Sequence, residues 1–346
     1  MKDLLIIGGG FAGINMAWQA HVHGLSFDIA DTFNKRSSTA IAAGLINPVT
    51  GRKFSLQWNM DALLSTSIRA YKGMETLFNK PLIYPHTILR LFTEESKNHW
   101  EKATYQPGIQ DYTEEIQDMA DTFPQALAPL GGIRIKNALR VDTEALIEGF
   151  QHVFPAHILQ KNISYDELPA EKDHWCYQDR EYKNLIFCEG IHGKQNPYFP
   201  ELAFKPAKGE CLHARIPGLD TTYILQKGVV LIPVRKDLWW VGATNTWDDM
   251  DTSVTAASGK FLEDGIRSIT DLPYTIESHL AAIRPSMRDR MPVVGVHKQH
   301  NTMYILNGLG TKGASLAPFY AERICDHILQ GTPLPEHVSP YRFVKA

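Results

Sequence analysis

Residues 4–31 read LLIIGGGFAGINMAWQAHVHGLSFDIAD, and the reading of this stretch decides the fold. Residues 4–7 form an apolar run with no turn former, the mark of a strand buried on both faces of a parallel sheet. The run passes directly into GGGFAG, which sets Gly8, Gly10 and Gly13 in a G-x-G-x-x-G pattern. Ile14, Ala17, Trp18 and Val22 then recur at helical spacing, and Gly24 stands where a helix stops. A second apolar stretch, residues 27–30, ends in Asp31, about 20 residues past the glycines. In a strand–glycine turn–helix–strand–acid unit, Gly8 permits the tight turn, Gly10 lets a pyrophosphate approach the backbone, and Gly13 lets helix and strand pack closely. The free N–H groups of the first helical turn, with Phe11 and Ala12 at its head, and the positive end of the helix dipole hold the phosphate charge. Asp31 either accepts hydrogen bonds from the adenosine ribose or serves as a turn residue. The unit predicts a dinucleotide site and leaves the choice between FAD and NAD open.

Working outward, 346 residues allow about two domains, and 44% hydrophobic residues suffice for a packed core, which excludes general disorder. No apolar run reaches the ~18–20 residues of a membrane span, and the N-terminus lacks a signal-peptide layout. A net charge of -3 argues against a dedicated nucleic-acid binder. Cys176, Cys188, Cys211 and Cys325 fall without CxxC spacing, too sparse for a disulfide framework and wrongly spaced for zinc. A reducing cytoplasm and no metal site are expected. Residues 61–78 and a segment opened by Asp142 show amphipathic helical spacing, residues 184–188 read as a buried strand, and residues 223–233 and 238–243 as strands.

Residues 36–52, RSSTAIAAGLINPVTGR, resemble the second cofactor contact of the D-amino-acid oxidase superfamily of FAD enzymes. Small side chains there, with Ser38, Thr39, Ala43, Gly44 and Leu45, let backbone and hydroxyl groups reach the flavin nucleotide. PAKGEC (206–211) is similar to the segment crossing back into the substrate domain, and VGATNTWDD (241–249) to the strands lining the substrate cavity. AAIRPSMRDRMPVVG (281–295) and GLGTKGASLAP (308–318) resemble the paired flavin-edge motifs of glycine-oxidase-like members. Glu189 departs from the family pattern, which has a small residue at that place. The resemblance covers nearly the whole chain and is weakest over residues 80–180. GLGTKGASLAPFYAE and the tail SPYRF (339–343) are similar to the FAD-oxidase half of the bifunctional enzymes that modify tRNA wobble uridines.

The resemblance implies an α/β chain, α+β overall: a Rossmann-like FAD-binding domain built from residues 1–55, 140–205 and 278–346. Residues 56–139 and 206–277 would form an interleaved substrate domain on a mostly antiparallel sheet. It also implies FAD, held noncovalently, since neither residues 281–295 nor 308–318 contain a cysteine or histidine. Arg284 is the expected carboxylate-binding arginine, because a guanidinium fork matches a carboxylate. Lys312, among Gly308, Gly310, Thr311 and Gly313, is expected at the substrate carboxylate or the flavin N1–C2 oxygen, before a helix over residues 315–330. Thr244 and Asn245 either line the cavity or end a strand, and Arg288 and Arg290 read as surface charges.

The function implied is oxidation of the C–N bond of a small amino acid or N-substituted glycine by hydride transfer to flavin, with oxygen as acceptor. The alternative is the same chemistry on the carboxymethylaminomethyl group of a tRNA wobble uridine, aided by basic residues such as Arg284–Arg290, Arg342 and Lys345. The negative balance ranks tRNA below a small molecule. A non-catalytic flavoprotein leaves the Arg284 and Lys312 segments without a role, and a nicotinamide dehydrogenase leaves the C-terminal glycine loop unexplained.

Overall fold

The apolar run after the first residues becomes the centre of a parallel sheet. In the computed structural model, which describes residues 1–168 and 174–344, strand Lys2–Ile7 lies between Arg180–Phe187 and Phe27–Ala30, parallel to both. The sheet runs Val293–Val296, Met303–Asn307, Arg180–Phe187, Lys2–Ile7, Phe27–Ala30, Ile158–Leu159, and its outermost Val293–Val296 is antiparallel. Leu4, Leu5, Ile6 and Ile7 are all buried, as a strand covered on both faces requires. The helix Phe11–Val22 follows the glycines and ends before Gly24, whose φ of +67° closes the turn. Lys345 lies outside the described residues.

The second sheet runs Thr275–Arg284, Ala207–Arg215, Leu238–Gly242, Val229–Arg235, Tyr223–Lys227, Ile83–Leu91, Gly132–Val141, Leu45–Ile46. Every pairing along it is antiparallel except that between Tyr223–Lys227 and Ile83–Leu91. Residues 223–233, expected as one strand, are a hairpin instead: Gly228, at φ +71°, turns the chain between Tyr223–Lys227 and Val229–Arg235. The boundaries expected at 140 and 278 fall inside two strands of the larger sheet, Gly132–Val141 and Thr275–Arg284.

One face of the larger sheet is covered by helix Ala256–Ile269, whose Leu262, Ile266 and Ile269 pack on Leu212, Leu225, Leu231 and Trp239. Burying each such side chain stabilises the fold by roughly 1.5–3 kcal/mol. The opposite face carries Ile88, Ile224 and Ile232 into the core shared with Phe11, Ile14 and Ala17 of the first helix. Helix Met60–Phe78 has the expected apolar stripe and packs on that core, with the Tyr71 hydroxyl donating to the Ala314 carbonyl at 2.8 Å. The C-terminal helix spans Gly313–Gln330, two residues longer at its start than the apolar pattern predicts.

Candidate active site

The glycine pattern is enforced by contact. A Cβ on Gly13 would stand 1.7 Å from the Gly8 carbonyl oxygen, so any side chain there would drive helix and strand apart. Gly8 has φ +105°, and a Cβ on it would lie 2.3 Å from the Cys188 carbonyl. Gly10, the residue before the helix, has no side chain to cap it, and of the first-turn N–H groups that of Phe11 donates to Thr39 Oγ1 at 3.0 Å. The Asp31 carboxylate accepts the Gly9 N–H at 2.5 Å and also the Phe33 N–H. Two of its roughly four lone-pair sites are used, which leaves acceptors for ribose hydroxyls. Gly9 was not singled out by the pattern, yet a Cβ there would strike the Phe33 ring at 2.6 Å.

Ser37 caps the short helix Ser38–Ile41, which sets Thr39 against Gly10 and Phe11. Ala43, Gly44 and Leu45 then cross to the larger sheet. Gly44 has φ +69°, and a Cβ on it would sit 1.9 Å from the Val141 carbonyl, so only glycine fits that crossing. From the other end of the chain, Gly308 and Gly310, with φ of +70° and +56°, turn the loop after Met303–Asn307. Lys312 is the residue before helix Gly313–Gln330, and its carbonyl accepts the Ser315 and Leu316 N–H groups. Thr311 is exposed at the loop tip. A Cβ on Gly313 would meet the Phe11 ring at 3.0 Å: the N-termini of two helices, from opposite ends of the chain, converge. These features fit FAD, with glycine cradles, free helix-end N–H groups and a carboxylate at the ribose position.

Arg284 ends strand Thr275–Arg284. Its Nη1 donates to the Thr244 carbonyl at 3.1 Å and to Asn245 Oδ1 at 2.7 Å. The guanidinium lies over Gly209, where a Cβ would come within 2.1 Å of Nη2. Both its acceptors are neutral, and among the described residues no carboxylate pairs with it. Burial depresses its pKa below the ordinary arginine value. An uncompensated, partly desolvated cation is poised for an anionic ligand. The Gly310 N–H donates to the Pro285 carbonyl at 3.3 Å, which ties the arginine segment to the glycine loop and its Lys312. Burial, then the neighbouring Arg290, lowers the Lys312 pKa. Beside them Ile41, Cys211, Leu280, Ala282 and Trp240 form an apolar wall, with Trp240 Nε1 donating to the Ile41 carbonyl at 3.0 Å.

Thr244 and Asn245 hold the arginine: the strand ends at Gly242, and both residues turn an oxygen to its guanidinium. Glu189 turns away from the glycine loop, accepting the Tyr165 hydroxyl at 2.7 Å and Asn196 Nδ2 at 2.8 Å, and burial raises its pKa. Arg288 and Arg290 are exposed, and Arg342 is paired with Asp289 at 2.7 Å. The pattern also missed Lys208 and Glu210, buried charged residues flanking Gly209. The one available signal was the glycine inside a strand, which marks a close approach. Among the described residues no cluster of metal-ligating side chains occurs, and no helix is long and apolar enough to cross a membrane.

The bifunctional tRNA 5-methylaminomethyl-2-thiouridine biosynthesis protein MnmC of Caulobacter vibrioides is 24% identical over 98% of this chain and 56% of its own length. The chain thus spans about half the length of that curated relative. Among solved structures, glycine oxidase from Geobacillus kaustophilus superposes with a TM-score of 0.85 at 16% identity, over 99% of this chain and 98% of its own. Iminodiacetate oxidase from Chelativorans sp. gives a TM-score of 0.76 at 20% identity, over 97% and 98%. The sequence model of the DAO family, FAD dependent oxidoreductase, matches residues 3–327. With the glycine cradles and the convergent helix ends in place, the chain belongs to the DAO family of FAD dependent oxidoreductases.

Proposed function

We propose that the chain oxidises the C–N bond of a small amino acid or N-substituted glycine whose carboxylate is bound by Arg284. The supporting observation is the guanidinium itself: partly buried, held by two neutral oxygens, and without a carboxylate partner among the described residues. When bound, FAD supplies the acceptor for the hydride leaving the substrate carbon. The protein orients that carbon. Arg284 anchors the carboxylate, Thr244 and Asn245 fix the guanidinium, and Gly209 gives it room. Lys312 and the helix end behind it place positive potential at the flavin edge or at the same carboxylate. The apolar wall around Trp240 keeps water from the reacting carbon. The substrate amine is neutral when it reacts, loses a proton and a hydride, and leaves as an imine that water hydrolyses. Oxygen as the final acceptor and a cytoplasmic setting belong to the same reading.

Anaerobic mixing of the FAD-loaded protein with glycine, N-methylglycine and iminodiacetate tests this. Bleaching of the flavin is expected with at least one carboxylated amine. An oxidised spectrum with every member of the panel would defeat the reading.

A second reading rests on the match to MnmC along 98% of the chain. Here the same site acts on the carboxymethylaminomethyl group of a tRNA wobble uridine, itself an N-substituted glycine. Unchanged wobble-nucleoside composition in a strain lacking this protein would eliminate it.

A further inference from the structure

The face of the larger sheet that carries Ile88, Ile224 and Ile232 holds a second buried arginine. Arg90, on strand Ile83–Leu91, is 8% exposed, and no carboxylate pairs with it among the described residues. Its guanidinium stacks on the Phe54 ring at 3.6 Å, and Nη2 donates to the Gly51 carbonyl at 2.9 Å. Nη1 is buried without a hydrogen-bond partner. Burial lowers its pKa to about 10. Directly beside it in register, on strand Tyr223–Lys227, stands Gln226, whose Oε1 is likewise buried and unpartnered. Leaving a buried donor and a buried acceptor unsatisfied is costly, and more so for the charged group.

The register fixes where this pair points. Arg90 pairs with Gln226, Gln226 with Val230, Val230 with Gly242, Gly242 with Cys211, and Cys211 with Leu280. Residues paired in register share a face of a sheet. Cys211 and Leu280 belong to the apolar wall beside Arg284, so Arg90 and Gln226 lie on the face that carries the substrate site. Cys211 and Arg90 are four strand spacings of ~4.8 Å apart, a distance no free amino acid covers.

We propose that Arg90 and Gln226 form a second recognition point, which binds the far end of the substituent on the substrate amine. This rests on the reading that an N-substituted glycine is oxidised at Arg284. The two atoms have opposite hydrogen-bonding sign, and that selects the ligand. Nη1 requires an acceptor and Oε1 a donor on neighbouring atoms, as an amide or imide edge provides. A carboxylate would be repelled by Oε1 and an ammonium by the guanidinium. The substrate is therefore an extended secondary amine, with glycine carboxylate at one end and a neutral amide or imide at the other.

The test uses FAD-loaded protein and a series of N-(carbamoylalkyl)glycines of increasing chain length, each matched with an alkyl isostere and a carboxylate analogue. Anaerobic flavin bleaching yields the apparent Kd for each. At one chain length the amide is expected to bind about tenfold tighter than its alkyl isostere. That ratio is expected to fall to about one in Arg90→Met and in Gln226→Leu. If Arg90→Met does not retain flavin, Gln226→Leu decides alone, since Oε1 makes no hydrogen bond that the change removes. No amide preference at any length, or one that survives both variants, overturns the proposal and leaves the pair holding a bridging water only. A tighter fit for the carboxylate analogue overturns the ligand class. Absence of bleaching throughout, N-methylglycine and iminodiacetate included, overturns the parent reading and this one with it.

Discussion

The guanidinium of Arg284 is held by a carbonyl and an amide oxygen, so its orientation is fixed while its charge stays uncompensated. Removing it, as in Arg284→Met, is expected to weaken binding of carboxylated amines by about 2–4 kcal/mol, a ~30- to 1000-fold rise in KM. Flavin content should not change. Asn245→Asp tests the neutrality of the cradle. It would put a carboxylate where Oδ1 now accepts, pair the arginine internally, and raise KM by at least ~10-fold while leaving Tm unchanged or higher. Steady-state kinetics beside a melting curve separates these outcomes. Arg284 and Lys312 could be singled out because they stand in segments that resemble the flavin-edge motifs of a known family. Asn245 could be named only as lining the cavity or ending a strand, because its hold on Arg284 is one hydrogen bond across 39 positions, which no local pattern encodes. The same holds for Arg90 and Gln226, which only strand register brings together.

At the scale of elements, strand Ala207–Arg215 divides its work between its faces. Gly209 makes room for Arg284, whereas Lys208 and Glu210 face the other way and fasten the segment that follows Gly242. Lys208 Nζ meets Asp249 at 2.6 Å and Asp251 at 2.8 Å. The Glu210 carboxylate accepts the Thr255 N–H at 2.8 Å and its hydroxyl at 3.0 Å, and lies 2.9 Å from His279 Nε2. The segment so fastened begins with Thr244 and Asn245. Lys208→Met is expected to loosen it and raise KM for carboxylated substrates more than it lowers kcat. Lys208→Arg should restore most of the loss, which a kcat and KM comparison of the two variants checks. In the nucleotide-binding unit, Gly13→Val must push the helix off the strand, given the 1.7 Å approach to Gly8. The purified variant is expected to lack visible flavin absorbance. Strand, helix and glycine turn were readable here because each follows from a short run of residues. The hairpin at Gly228 was misread as one strand because strand-forming residues stand on both sides of it, Tyr223–Leu225 before and Val229–Ile232 after, and a single glycine is a weak stop.

For the molecule as a whole, acid should be destabilising. His86, His213 and His297 have folded-state pKa values lowered chiefly by burial. The unfolded chain therefore binds more protons than the folded one once pH falls below the ordinary histidine value of ~6.5. Stability present above that value is lost as pH drops through the depressed folded values. Melting curves of the holoprotein between about pH 7.5 and 5.5 are expected to show a falling Tm, and His213→Gln should flatten the slope. Loss of FAD acts on the same scale: at a hundredfold excess over Kd the cofactor adds ~2.7 kcal/mol, so stripped protein should melt several degrees lower.

The meeting of Gly313 with Phe11 has a consequence for synthesis on the ribosome. Half of the cofactor's cradle is translated first and the other half about 300 residues later. A nascent chain can fold its opening strand and helix early, but it cannot close the cradle until the last helix has left the exit tunnel. Retained FAD thus reports that translation has passed Gly313, and a chain released short of that residue should emerge colourless however well its opening strand and helix have formed.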